Sequence, residues 1–223
     1  YKSSDGGSSW NIITNNETNG GKIDQIQISK SNSDVIYISD NANLFKTING
    51  GVNWINVNSS LPNKSITSIA INPTNENRVW VSFSGYSNNN KVYFTNDGGS
   101  SWSNVSGTLP NIPANCVIIN EMDSLETLYL ATDLGVFVKD STSSDWNNFN
   151  NNSLPNVIVS ELEIQYPSNK LIAGTYGRGL WSIDLLITSP PIANFNIDDS
   201  VFCNVPATVN FTNTSYYSNS YFW

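Results

Sequence analysis

An all-β fold of stacked four-stranded sheets is the architecture this sequence predicts, and three observations predict it. A motif ending in tryptophan recurs at Trp10, Trp54, Trp102 and Trp146, with spacings of 44, 48 and 44 residues. Between copies, three short runs rich in Val, Ile, Tyr and Phe recur in constant phase, and such residues fit a pleated, half-buried surface. Asn makes up about a sixth of the 223 residues, beside abundant Ser and Thr. These side chains compete for the backbone in helix interiors and favour turns. A period of about 45 residues with four strands is that of a β-propeller blade, a sheet covered on both faces only when neighbours stack on it.

The elements follow in chain order. The chain opens inside the motif, SSDGGSSW from Ser3, so Trp10 to Ile13 is predicted as the outer strand of a blade without its inner strands. Three nearly complete blades follow. Their first strands are KIDQIQIS from Lys22, ITSIAINP from Ile66 and NCVIIN from Asn115. Their second strands are DVIYIS from Asp34, RVWVSF from Arg78 and TLYLAT from Thr127, and their third NLFKTI from Asn43, KVYFTN from Lys91 and GVFVKD from Gly135. Leu61-Pro62, Leu109-Pro110 and Leu154-Pro155 keep the same phase. A last blade, VSELEIQYP, KLIAGT and GLWSID, runs from Val159 to about Leu186 and lacks an outer strand. Either an earlier segment supplies that strand, which is the expectation, or Trp10 to Ile13 closes a four-bladed ring.

The motif resembles the Asp-box, or BNR repeat, Ser/Thr-x-Asp-x-Gly-x-Ser/Thr-Trp. Ser3, Asp5, Gly7, Ser9 and Trp10 match it fully, as do Thr95, Asp97, Gly99, Ser101 and Trp102. The copy at Thr47, Gly51 and Trp54 carries Asn49 and Asn53 in place of Asp and Ser/Thr, and the copy before Trp146 keeps little beyond the Trp. The resemblance implies a hairpin between third and fourth strands, in which Gly permits positive φ, Asp and Ser/Thr cap backbone N–H groups, and Trp packs between blades. A calcium site is the competing reading, but calcium takes about six or more oxygen ligands and each box offers one carboxylate. The boxes are read as structure, with no metal. Resemblance to sortilin-like and xyloglucanase-like Asp-box propellers implies seven or more blades, of which residues 1–187 form the C-terminal portion.

Several functions are excluded by what is missing. Ten Lys and Arg against eighteen Asp and Glu give a net charge of −8, which is wrong for neutralising phosphates, so nucleic acid is not a partner. With no His, neither a His-containing catalytic triad nor a His-ligated zinc site can form. No cofactor is predicted. No apolar run approaches the roughly 20 residues that span a bilayer. No signal peptide opens the chain, and Tyr1 does not look like a natural start, which points to a fragment.

After Leu186 the composition changes, and residues 188–223 are read as a linker with Pro190 and Pro191 leading into a second domain. Pro191, Ala193, Phe195, Cys203, Val209, Phe211, Asn213, Ser215, Tyr221 and Trp223 resemble the opening of a PKD domain, an immunoglobulin-like sandwich. That resemblance implies a disulfide partner for Cys203 beyond Trp223. Cys116, in an apolar strand, reads as a buried thiol, with a Cys116–Cys203 bridge as the alternative. Propeller and PKD modules in tandem imply a secreted or cell-surface protein exported by the type IX route, with the secretion machinery as a transient partner. Asp123-Ser124-Leu125 and Asp199-Ser200-Val201 match a short O-glycosylation pattern of such systems, which nominates Ser124 and Ser200.

The ligand face of a propeller lies opposite the boxes. There the loops present Asp40, Tyr86, Asp133, Tyr176 and Arg178, a mixture of flat aromatics and planar polar groups suited to carbohydrate; ordinary polar loop residues are the competing reading. Arg178 is also a candidate to bridge blades, while Trp80 and Trp181 are read as core. Glycoside hydrolysis needs two carboxylates about 5 to 10 Å apart, and Asp40 and Asp133 lie two blades apart. Two Arg cannot form a sialidase arginine triad. The sequence therefore reads as a non-catalytic binding or adhesion module for an extracellular glycan or protein. A xyloglucanase-like glycoside hydrolase and a sortilin-like peptide-binding scaffold are the alternatives.

Overall fold

The computed structural model describes residues 1–13, 22–150, 154–186, 194–197 and 209–215. The chain divides into two compact units, Tyr1–Ile183 and Asp184–Trp223. In the first, the recurring runs form antiparallel sheets in sequence order. Sheet one holds β1 (Gln25–Ile28), β2 (Ile36–Asp40), β3 (Asn43–Thr47) and β4 (Ile55–Asn56). Sheet two holds β5 (Ile66–Asn72), β6 (Asn75–Phe83), β7 (Val92–Thr95) and β8 (Ser103–Asn104). Sheet three holds β9 (Ala114–Ile119), β10 (Leu128–Thr132), β11 (Gly135–Lys139) and β12 (Asn147–Asn148). A fourth sheet of β13 (Val159–Gln165), β14 (Lys170–Thr175) and β15 (Gly179–Asp184) has no fourth strand among the described residues. Tyr1 to Ile13 forms a hairpin closed by a bridge between Lys2 and Asn11.

This up-and-down order separates two faces. Turns joining first to second and third to fourth strands, the boxes among them, lie at one end; turns joining second to third strands lie at the other. The first strands β1, β5, β9 and β13 run beside one another.

Stacking follows from alternation, since side chains along a strand point to opposite faces. In β2 and its counterpart β6, Tyr37 and Trp80 face the following sheet, while Val79 and Val81 face the preceding one. One core joins Tyr37, Leu44 and Val57 of sheet one to Ile69, Val79 and Val81 of sheet two; the next joins Trp80 and Val92 to Val117 and Leu130. Each fully buried aliphatic side chain contributes about 1.5–3 kcal/mol. The positions of Ile69 and Ile71 recur as Val117 and Ile119, then Leu162 and Ile164, all buried, yet their counterparts Ile26 and Ile28 in β1 are 57% and 50% exposed. Trp80 is core, stacked on Phe94 at 4.9 Å between ring centroids. Trp181 is half-buried and donates to the Arg178 carbonyl at 3.0 Å.

Polar contacts also cross the interfaces. Arg78 grips Glu126 of the next sheet in a two-pronged pair at 2.7 and 2.5 Å, and its guanidinium lies 5.0 Å from the Phe94 ring centre. Asn72 donates to the same carboxylate at 2.7 Å. Arg78 thus bridges sheets two and three, while Arg178 is exposed and forms no ion pair with a described residue. Cys116 is a buried free thiol.

In the second unit β16 (Phe195–Ile197) pairs with β17 (Phe211–Asn213), with Phe195 opposite Asn213 and ring contact between Phe195 and Phe211. Ser215 closes the pair, accepting from the Asn194 N–H at 2.9 Å. Of the residues carrying the PKD resemblance, Pro191, Ala193, Cys203, Tyr221 and Trp223 lie outside the described residues, as does Ser200.

Candidate functional site

On the box face the hydrogen bonds are those of a hairpin staple. In the first box Asp5 accepts from the Ser9 N–H at 2.9 Å and the Ser9 hydroxyl at 2.7 Å, while the Ser3 hydroxyl accepts from the Gly7 N–H at 2.7 Å. Asp97 repeats this with Ser101 at 2.9 and 2.6 Å, and Thr95 with Gly99 at 3.0 Å. In the second box Asn49 supplies one oxygen to the Asn53 N–H at 2.9 Å, so an amide substitutes for the carboxylate. The eroded fourth copy keeps a staple from a displaced residue: Asp140 accepts from the N–H groups of Thr142 and Ser143 at 2.9 and 2.7 Å. Asp145 beside it reaches the preceding sheet and accepts from the Thr108 N–H at 3.0 Å.

Each box tryptophan then fastens its sheet to the one before. Trp54 donates to the Ile13 carbonyl at 2.8 Å, Trp102 to Val57 at 2.7 Å and Trp146 to Val105 at 2.8 Å. Trp10 departs from this pattern. Its indole is 60% exposed and turns back to its own box, donating to the Gly7 carbonyl at 3.0 Å. Lys46, just before the second box, is buried and runs forward to the third, donating to the Gly98 carbonyl at 3.3 Å. Burial pushes the pKa of its ammonium down.

The Ser9 hydroxyl and N–H, with the Ser3 hydroxyl, lower the pKa of Asp5 from an ordinary 3.8 to about 2. The Ser101 and Thr95 hydroxyls hold Asp97 well below the ordinary range. A depressed carboxylate pKa stabilises the fold above the unfolded-state value, and that contribution fades as pH falls through the folded one. Asn49 cannot titrate. The Asp97→Asn variant is therefore expected to be less stable than wild type at pH 7, with the gap narrowing as pH falls from about 4 to 2 and further below. Urea unfolding across that range checks this; a gap independent of pH sinks the carboxylate account.

The opposite face holds the sequence-nominated ligand residues. Tyr86, in the β6–β7 loop, is 71% exposed, and its hydroxyl lies 3.5 Å from Oδ2 of Asp133 in the β10–β11 turn. Asn115, which the sequence reading missed, donates through Nδ2 to Asp133 Oδ1 at 3.0 Å and to the Val159 carbonyl at 2.9 Å. Tyr176 is 78% exposed and Arg178 is exposed, both on the β14–β15 turn. Neither bonds to the Tyr86–Asp133 pair. Asp40 ends β2 in sheet one, apart from the others, half-buried, with its carbonyl accepting from Asn43 at 3.4 Å. Ser124 is exposed, whereas Asp123 beside it is buried and accepts from the Leu125 N–H at 2.9 Å.

Between the faces, the first strands line a cavity of about 340 Å³ with Gln25, Ser68, Cys116, Glu161 and Glu163 in its wall. Burial first, and Glu161 second, push the Cys116 thiol up to about 12. At neutral pH it is a protonated thiol, not a nucleophile. No group of three or more His, Cys, Asp or Glu able to hold a metal occurs among the described residues. No helix among them is long and apolar enough to cross a membrane.

Solved structures share this architecture. The GH74 enzyme of Niastella koreensis superposes with a TM-score of 0.55 at 19% identity, covering 70% of this chain and 26% of that one. The GH74 xyloglucanase of Xanthomonas campestris gives 0.53 at 13% identity, covering 72% and 29%. An extracellular domain from B. thetaiotaomicron, assigned to a hybrid two component system, gives 0.56 at 14% identity, covering 75% and 21%. The chain thus spans under a third of each of these structures, and at such identities the likeness is one of fold. No curated protein sequence matches it. The family model Sortilin-Vps10, described as "Sortilin, neurotensin receptor 3", matches residues 1–170. With four propeller-like sheets, their stapled boxes and that match over most of its length, the chain belongs to the Sortilin-Vps10 family.

Proposed function

We propose that this chain is part of a secreted or cell-surface multidomain protein in which the propeller is a non-catalytic binding module for an extracellular glycan or protein. The face opposite the boxes carries the ligand. The observation behind this reading is the pairing there of an outward-facing aromatic, Tyr86, with the half-buried carboxylate of Asp133, beside the exposed Tyr176 and Arg178. In the whole protein a further blade covers Ile26 and Ile28, in keeping with a propeller of seven or more blades. The Phe195–Phe211 strand pair begins a PKD-like domain, and export follows the type IX route. The extracellular setting draws support from the B. thetaiotaomicron domain of similar fold.

A hydrolase is the second reading, favoured by the GH74 xyloglucanase among the fold neighbours and by Glu161 and Glu163 in the cavity wall. A sortilin-like peptide scaffold is the third, favoured by the family. Purified chain is presented with arrays of glycans and peptides, and its release of reducing ends from xyloglucan is measured. The expected result is saturable binding to an arrayed ligand, weakened by combined Tyr86→Ala and Tyr176→Ala, without reducing-end release. Turnover abolished by Glu161→Gln would replace the binding reading with the hydrolase. Binding indifferent to every substitution on this face would remove the face from consideration.

A further inference from the structure

The Tyr86–Asp133 pair is built with more care than a solvated loop contact requires. Its aromatic is held from behind. The side chain of Lys91 is fully buried and donates through Nζ to the carbonyl of Gly85, the residue before Tyr86, at 2.7 Å. Gly85 sits at φ 86°, where a side chain would strain the backbone. The far end of the same loop is fixed by the Tyr93 hydroxyl, which donates to Asn90 Oδ1 at 2.7 Å. An exposed ring on an anchored loop loses little freedom when a ligand covers it.

The carboxylate is held as firmly. Both Nδ2 hydrogens of Asn115 are committed, one to Asp133 Oδ1 at 3.0 Å and one to the Val159 carbonyl at 2.9 Å. This fixes the plane of the carboxylate and leaves Oδ2 with only the 3.5 Å contact to Tyr86. Oδ2 therefore keeps acceptor capacity beside a hydroxyl that can donate or accept.

We propose, resting on the reading of this face as the ligand face, that the Tyr86–Asp133 pair, where loops of sheets two and three meet, is a saccharide subsite. The Tyr86 ring stacks on the apolar face of a sugar, Asp133 Oδ2 accepts a sugar hydroxyl proton, and the Tyr86 hydroxyl meets a neighbouring sugar oxygen. Asn115 is a positioning residue that acts through Asp133. A cationic side chain from a peptide is the competing occupant. An ammonium has donors only and cannot take the Tyr86 hydroxyl proton, which then keeps its long 3.5 Å contact to Asp133 Oδ2, whereas vicinal sugar hydroxyls supply donor and acceptor together.

The test uses the full 223-residue chain, titrated calorimetrically with cellohexaose, xylohexaose, mannohexaose and, as the cationic arm, hexalysine. At least one hexaose is expected to bind. Tyr86→Ala should weaken it about five- to tenfold, as loss of a stacking contact does, and Asp133→Asn at least about tenfold. Asn115→Ala should weaken binding in the wild-type background but add nothing to Asp133→Asn, a non-additivity that general loosening would not give. Tyr86 is exposed, so its variant should keep the melting temperature. Binding of no hexaose, or binding of hexalysine with the same residue dependence, overturns the subsite. A hexaose lost on Tyr176→Ala or Arg178→Ala but not on Tyr86→Ala overturns the subsite while leaving the ligand face standing.

Discussion

Removing the Trp102 side chain, by Trp102→Ala, is expected to lower unfolding stability by about 3–5 kcal/mol, the cost of truncating a large buried aromatic. Two losses combine there. The indole is 8% exposed within the core between sheets one and two, so its removal opens a void that close-packed neighbours fill only in part. The Val57 carbonyl also loses the donor it holds at 2.7 Å, and a buried acceptor without a partner costs about 1–3 kcal/mol. Trp102→Phe keeps a six-membered ring while losing the N–H and part of the indole's volume, so a loss of about half that of Trp102→Ala is expected. The control is Trp10→Ala. With its indole 60% exposed and bonded within its own box, a change within about 0.5 kcal/mol is expected. Urea unfolding followed by far-ultraviolet circular dichroism measures all three. Equal losses for Trp102→Ala and Trp10→Ala would show that the tryptophan stabilises only its own hairpin.

Gly99→Ala is expected to destabilise by about 2–5 kcal/mol, for a reason independent of any hydrogen bond. Gly99 has φ 96°, and an added Cβ would lie 2.8 Å from Val57 Cβ and 3.1 Å from its Cγ2. Those atoms belong to a branched side chain packed in the core, so they cannot swing aside. Gly7 occupies the same place in the first box at φ 93°, but its nearest neighbour is Trp10 Cζ2 at 3.7 Å. Gly7→Ala meets the backbone strain without the collision, so about 1 kcal/mol is expected. The difference between the two isolates packing between sheets. Equal losses in the same urea measurement would assign the glycine requirement wholly to the turn.

The strands were legible because the sequence repeats its own answer. Alternating runs in constant phase predict the first three strands of each sheet to within about three residues at their ends, whereas the fourth strands, two residues each, carry too little pattern to bound. The box staples were legible from Gly, Asp and hydroxyl spacing. What escaped are contacts whose partners the repeat does not tie together. Arg78 and Glu126 lie 48 positions apart, and nothing local to either announces the other. Asp140 staples its turn from the variable position one before that of the box Asp, so a template of residue types passes over it. Asn115 supports Asp133 from the mouth of β9, and its role is set by orientation, which composition does not encode. Trp10 shows the reverse error. The motif is intact, but the motif specifies only the donor, and the acceptor belongs to the neighbouring sheet.

That last point bears on how such chains lengthen and shorten. The indole of each box and the carbonyl it seeks lie in different repeats, and the same donor–acceptor pair recurs at Ile13, Val57 and Val105. As far as this bond is concerned, any unit can therefore succeed any other. Unequal recombination that inserts or drops one whole repeat leaves every internal junction with its indole donor and its carbonyl acceptor, while pairs peculiar to one junction, such as Arg78 with Glu126, are lost. A break at another length strands one of each.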